Sequence, residues 1–263
     1  MKRVLVNGAM GKMGQEVVKT VVEETEDLLV GACDMKGIGE NIMDLLGLKG
    51  DRVTIYGDLT EAIQKTNPDV IIDFTIPEVV MNNIKTGLSH KVHMIVGTTG
   101  ITEVDLKEIK DLAEANNVNA LIVPNFAIGA VLMMEFSREA ARYFKDVEII
   151  ELHHNQKIDA PSGTSIKTAE LINRNMNNCE NNGINEIERI KGARGGNKNG
   201  VNIHSVRLPG LVAHQEVIFG GEGQTLTIRH DSYSRKSFMP GVKLALKKIT
   251  DINGLVYGLE KIL

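Results

Sequence analysis

Along the first half of the chain, apolar residues fall in short β-branched runs, and between the runs they recur at helical spacing. RVLVN (3–7), LLVGAC (28–33), 53–56, DVIIDFT (69–75), VHMIV (92–96) and NALIV (119–123) read as strands; stretches near 12–25, 59–66, 77–88 and 102–116 read as helices. A strand that is apolar on both faces and followed by a helix belongs in a parallel sheet covered on both sides. Repetition of that unit predicts an α/β, doubly wound first domain.

The pattern changes after VPNFAIGAVLMMEFSREAARYF, which predicts a helix over about 127–143. DVEIIELHHNQ, VNIHSVRLPG, HQEVIFGG and QTLTIRHDS alternate polar and apolar residues with Gly or Pro between the runs, predicting a mixed or antiparallel sheet with one helix near 163–177. A second, α+β domain is therefore expected to begin near residue 125. The Asn- and Gly-rich stretch 173–200 reads as surface loops whose basic residues are either solvated or within reach of a ligand. PGVKLALKKI opens with a proline suited to a helix N-terminus, and this last helix is expected to pack back on the first domain. The expected division is 1–126 joined by 236–263, and 127–235.

With 263 residues, 42% hydrophobic and 24% charged, the chain has room for two folded domains and its composition excludes neither an enzyme nor a binding module. A formal charge of -4, a pI near 6.0 and the absence of a Lys/Arg block argue against a nucleic-acid partner. Cys33 and Cys179 lie outside any CxxC or Cys/His cluster, so two reduced thiols in a cytoplasmic protein are expected, and no metal. The apolar run in MKRVLVNGAMGKMG is too short for a signal peptide, and no segment supplies the roughly 18 apolar residues of a membrane span. The expectation is a cytoplasmic chain that begins directly with a buried strand.

Two places carry chemistry. VLVNGAMGKMG sets Gly8, Gly11 and Gly14 at a strand-to-helix junction, where glycines permit a tight turn and bring backbone N–H groups and a helix N-terminus to a pyrophosphate. Asp34 ends the second strand, where a carboxylate suits the hydroxyls of an adenosine ribose. The alternative is an ordinary glycine turn beside an ordinary strand end. Asp34 favours NADH electrostatically, and Lys36 softens that preference toward NADPH. DFTIPE and VGTTG fall at further strand ends, on the side where such sheets bind ligands. Phe74 is suited either to pressing on a cofactor or to the core, and the Thr98–Thr99 pair leaves a ligand role open beside helix capping by Thr99 or Thr102.

The second place is ELHHNQKIDAPSGTS. Strand alternation points His153 and His154 to opposite faces, so one of them can exchange a proton while the other does something else, and a capping or core histidine is the plainer alternative. Lys157 comes close if the chain turns after the strand. Pro161, Ser162, Gly163 and Thr164 read as a helix start, with Ser162 or Thr164 as cap, whose N–H groups suit a carboxylate. Histidine, lysine and helix terminus together describe a site for a small anion.

These residues are specific enough to carry a resemblance. VLVNGAMGKMG, DFTIPE, VGTTG, VPNFAIG and ELHHNQKIDAPSGTS, with HSVRLPGLVAHQEVIFGG and SFMPGVKLAL, closely resemble the 4-hydroxy-tetrahydrodipicolinate reductase (dihydrodipicolinate reductase) family over nearly the whole chain. The resemblance implies a Rossmann-like nucleotide domain, and a substrate and oligomerisation domain whose mixed sheet forms the core of a homotetramer. It implies NAD(P)H-dependent reduction of 4-hydroxy-tetrahydrodipicolinate to tetrahydrodipicolinate with loss of water, in lysine biosynthesis through diaminopimelate. NADH or NADPH is then the cofactor and a small dicarboxylate the substrate. The same resemblance makes His153 and Lys157 catalytic, and His154, Gly163 and Thr164 substrate contacts. It gives the cofactor Gly8, Ala9, Met10, Gly11, Lys12, Met13, Asp34, Gly97, Thr98, Thr99, Val123, Pro124, Asn125 and Phe126. It also implies a hinge, placed here near 125 and 235. Many relatives have an arginine after the acidic residue of the second strand, where this chain has Met35; Leu208, Pro209 and Ala213 are further departures. Another dehydrogenase of the same architecture and a non-catalytic NAD sensor are the rival readings.

Overall fold

The computed structural model describes residues 1–176 and 187–263, so Cys179 and part of the Asn-rich stretch lie outside the described residues. The chain divides into two compact units, Met1–Phe126 with Phe238–Leu263, and Ala127–Ser237.

In the first unit β1 (Arg3–Asn7), β2 (Leu28–Cys33), β3 (Ile55–Tyr56), β4 (Val70–Asp73), β5 (His93–Val96) and β6 (Ala120–Ile122) alternate with α1 (Lys12–Glu24), α2 (Ile42–Leu46), α3 (Leu59–Thr66), α4 (Pro77–Ser89) and α5 (Glu103–Asn116). All strand pairs are parallel and the order is β6-β5-β4-β1-β2-β3. The chain builds outward from β1 to β3, then crosses to β4 on the other side of β1. That reversal opens a crevice at the carboxyl ends of β1 and β4, where doubly wound sheets bind ligands. The central strands are apolar on both faces: Val4, Leu5, Val6, Ile71, Ile72, Met94 and Ile95 are all fully buried.

Local signals explain most boundaries. Thr102 caps α5 in a full capping box with Asp105, which assigns the cap to Thr102 rather than Thr99. The run DVIIDFT ends as a strand at Asp73, because its carboxylate accepts from Thr75 N and Oγ1 and folds the chain into a turn. The strand expected over 53–56 is reduced to Ile55–Tyr56. Helix α2 is absent from the sequence reading; five residues, capped by Asn41 and closed by left-handed Gly47, are too few to show a period.

The second unit holds α6 (Ile128–Ala140), β7 (Asp146–His153), α7 (Gly163–Asn175), β8 (Gly196–Lys198), β9 (Val201–Arg207), β10 (Ala213–Gly221) and β11 (Gln224–Ser232). Its sheet is mixed, in the order β11-β10-β7-β9-β8, with only β7 and β9 parallel. Alternation along β7 turns Val147 and Ile149 to one face, where they join Val217, Phe219, Val201, Ile203, and Met133, Ala169 and Ile172 of the two helices.

After Phe238 the chain rejoins the first unit as α8 (Met239–Lys248) and β12 (Leu255–Tyr257). β12 pairs parallel with β6 and becomes the seventh strand. Asn119 stitches this segment down, donating to Ile249 O at 2.8 Å and accepting from Gly254 N at 3.0 Å. Among the described residues, no helix is long and apolar enough to cross a membrane.

Candidate active site

The glycine turn follows β1. Gly8 adopts a left-handed φ of 77°, and a Cβ there would lie 2.5 Å from Phe74 O. The N–H groups of Gly8 and Ala9 both donate to Cys33 O, and Gly11 N donates back to Gly8 O, so the turn is folded against the ends of β2 and β4. A Cβ on Gly14 would stand 2.0 Å from Gly8 O, so the first turn of α1 packs on the loop at a distance only glycine allows. Gly11 caps α1 without a side-chain hydrogen bond, and the first-turn amides of a helix have no partner within it.

Asp34 lies just beyond β2 and is tied to this turn: Oδ2 accepts from Met10 N at 2.9 Å and Oδ1 from Lys36 N at 3.0 Å. Beside it lies a cavity of about 530 Å³ whose lining includes Gly8, Gly11, Cys33, Asp34, Met35, Asp58 and Thr75. Burial, then the carboxylates of Asp58, Asp34 and Asp73, push the Cys33 thiol up to about 12. Burial is the larger cause, and the three carboxylates add negative charge to this side of the cavity. On the other side of Gly11, Lys12 and Met13, a second depression of about 410 Å³ is bounded by Phe74, Thr75, Pro77, Gly97, Thr98 and Thr99. A turn with the Asp34 carboxylate on one side and a second recess on the other fits a dinucleotide stretched across the switch point.

Asp73 holds this crevice together and was not among the site residues read from sequence. It is fully buried and accepts five hydrogen bonds: from Asn7, Asn83, Thr98 Oγ1, and Thr75 N and Oγ1. The hydroxyl of Thr98 is thereby turned inward, and Thr99 lines the second recess. The ring of Phe74 packs 5.4 Å from that of Phe126, the core role considered for it, and the residue also lines both recesses. A Cβ on Gly97 would lie 2.2 Å from the Phe74 ring, so Gly97 is the space that ring occupies. Of the 123–126 segment, Val123 and Phe126 have buried side chains, while Pro124 is exposed and Asn125 half-buried.

In the second unit, His153 is the last residue of β7 and His154 lies outside the strand, exposed. His153 Nδ1 is hydrogen-bonded to Glu151 Oε2, two residues back on the same face. Arg207, the cross-strand neighbour of His153 on β9, grips Glu151 with two bonds of 2.9 and 2.7 Å. Burial raises the Glu151 pKa, but hydrogen bonds from His153, Arg207 and Ser205 outweigh it and hold the carboxyl at about 2. The chain then turns through Lys157 N to His154 O, and Lys157 Nζ rests on Asp159 Oδ1 at 2.6 Å. Arg207 reaches this turn too, donating to Asp159 O at 2.9 Å.

A cis Ala160–Pro161 peptide leads into α7, whose N-cap is Ser162. Ser162 Oγ accepts from Ser165 N, and Ser165 passes the network to Gln215 and Thr168, fixing the helix start on β10. Among the described residues, nothing outside its own chain neighbours and helix backbone lies within 4 Å of where a Gly163 Cβ would be, so the backbone of the first turn is open to approach. Glu151 and Arg207 were missed in the sequence. The signal was present: Glu151 continues the inward register of Val147 and Ile149, and a carboxylate at a core position needs a charged partner.

A doubly wound sheet with this turn, this carboxylate and a separate anion-suited unit belongs to the class of NAD(P)-binding oxidoreductases. Models of the dihydrodipicolinate reductase N-terminus and C-terminus match residues 2–126 and 129–263. The chain is 53% identical to 4-hydroxy-tetrahydrodipicolinate reductase of Syntrophomonas wolfei over 99% of its length and 98% of that protein. It is 52% identical to the enzyme of the same name from Listeria innocua, covering 99% of each chain. A solved structure, dipicolinate-bound dihydrodipicolinate reductase from Paenisporosarcina sp. TG-14, superposes with a TM-score of 0.89 at 47% identity over 100% of both chains. An amine dehydrogenase from Mycobacterium smegmatis shares the fold alone, with a TM-score of 0.69 at 14% identity over 97% of this chain and 94% of that one. The chain belongs to the dihydrodipicolinate reductase family.

Proposed function

We propose that this protein reduces 4-hydroxy-tetrahydrodipicolinate to tetrahydrodipicolinate, with loss of water, in the diaminopimelate route to lysine, as a cytoplasmic homotetramer. The observation that carries the reading is the cluster at the end of β7: His153 held through Glu151, Lys157 on the following turn, and the open first turn of α7. The Lys157 ammonium, the His153 ring and a helix N-terminus suit a substrate bearing two carboxylates. The dipicolinate-bound relative, at 47% identity, supports a planar dicarboxylate as the ligand class.

NADH or NADPH, when bound, supplies the hydride. Gly8 to Met13 would cradle the pyrophosphate, Asp34 would accept from the ribose hydroxyls, and Gly97, Thr98 and Thr99 with the 123–126 segment would border the nicotinamide end. Asp34 and Asp58 line one cavity, which favours NADH over a phosphorylated ribose. His153 exchanges a proton at its ring, Lys157 provides a second proton-bearing group and a fixed charge, and His154, Gly163 and Thr164 hold carboxylate oxygens. The face of the mixed sheet opposite its helices presents half-buried Ile150, Leu152 and Ile218, which supports its use between subunits.

The test is NADH oxidation in the presence of the condensation product of pyruvate and aspartate semialdehyde, generated in place. Oxidation that needs this substrate and falls about 100-fold or more in His153→Gln and Lys157→Ala, with NADH binding retained, is expected. NADH binding without substrate-dependent oxidation in the wild type would favour a sensor or another dehydrogenase.

A further inference from the structure

We infer that Glu151 is a positioning residue that, clamped by Arg207, fixes the His153 ring with its proton on Nδ1 and leaves Nε2 to exchange protons with the substrate. The inference rests on the reductase reading above and extends it to residues outside the candidate site set.

Three observations converge. Glu151 is fully buried, yet both its oxygens are used: Oε2 faces His153 Nδ1 and Arg207 Nη1, and Oε1 faces Arg207 Nη2. An ionised carboxylate can only accept, so the shared hydrogen on the His153 side belongs to Nδ1. The strand register makes the arrangement rigid, because Glu151 and His153 share one face of β7 and Arg207 is paired directly with His153 on β9. The same guanidinium donates to Asp159 O, and Asp159 carries Lys157 on its carboxylate. One arginine thus braces both groups proposed to handle protons. A carboxylate behind a histidine orients the ring and stabilises the imidazolium that forms when the ring takes up a proton.

The test has two arms on the full-length chain. Two-bond nitrogen-proton spectra of the wild type, with the His153 signal assigned by its loss in His153→Gln, are expected to show neutral His153 protonated on Nδ1. In Glu151→Gln, kcat is expected to fall about 100-fold with KM for NADH unchanged. The pH-profile limb that belongs to His153 should also move to lower pH, because a neighbouring negative charge favours the imidazolium and the variant removes it. A neutral wild-type ring protonated on Nε2 would overturn the inference. So would a folded Glu151→Gln with wild-type kcat and an unmoved limb. If Glu151→Gln does not fold, the wild-type tautomer decides. Failure of the reductase reading looks different: the wild type then shows no substrate-dependent NADH oxidation at all.

Discussion

The backbone N–H of Met10 donates to Asp34 Oδ2 at 2.9 Å, pinning the carboxylate that follows β2 to the glycine turn that follows β1. With Lys36 N on the other oxygen, the side chain is oriented before any ligand arrives. With Asp34 on the ribose as proposed, Asp34→Ala should lose those hydrogen bonds together with the brace on the turn. Hydrogen bonds to a charged group contribute about 1.5–3 kcal/mol, so KM for NADH should rise at least about 10-fold. KM for NADPH should rise less, since the variant also removes a repulsive charge. Steady-state kinetics with both cofactors read the ratio directly, and an unchanged ratio would remove Asp34 from cofactor selection.

Two glycines that look equivalent in the sequence should behave oppositely. Gly14 has backbone 2.0 Å from its missing Cβ, so Gly14→Ala should destabilise the first unit by about 3 kcal/mol and weaken NADH binding. Gly163 has open space, so Gly163→Val should keep stability within about 1 kcal/mol while raising KM for the dicarboxylate about 10-fold by filling the approach to α7. Urea denaturation and substrate titration separate the two effects.

Glu151 should make the fold acid-sensitive. Its carboxyl is held at about 2 against an ordinary 4.5, so the folded state binds its proton less readily than the unfolded chain. Such a group contributes stability that is fully present above the unfolded value and is lost as pH falls from about 4.5 toward 2. The loss over that window is roughly 2–3 kcal/mol. Urea midpoints measured across this acid range should fall less steeply in Glu151→Gln than in the wild type, although the variant starts lower at neutral pH. Parallel slopes would show that the carboxylate is not held ionised by the fold.

Cys33 should be inert in the folded protein. Its thiol is buried and pushed up to about 12, so little thiolate exists at mildly alkaline pH. In a Cys179→Ser background, iodoacetamide should label Cys33 only as urea unfolds the first unit, followed by mass spectrometry. Rapid labelling of the native chain would contradict the burial of the Cys33 thiol.

Much of both units was readable where the elements are periodic and locally capped. Thr102 with Asp105, and Ser162 before Gly163, announce helix starts within four residues. What escaped was either too short to show a period, as in α2, or defined only by a neighbour. β12 is three residues that become a strand because β6 offers a free edge, and Asn119 anchors the segment from far away in the chain. Within the candidate site, Glu151 was visible as an anomaly of register, but nothing local to it indicated Arg207, 56 positions later.

By itself the sequence determined the alternation of strands and helices, the glycine turn, and the identities of the groups gathered in ELHHNQKIDAPSGTS, because periodicity, turn chemistry and side-chain chemistry act over a few residues. Only the tertiary structure decided which of these groups meet. Strand order set Asp34 against Met10 and gathered Asn7, Asn83 and Thr98 around Asp73; the β7–β9 register set Arg207 beside His153. Those pairings follow from how whole strands align, a sum of many weak packing and hydrogen-bonding terms along each edge that no short stretch of residues carries.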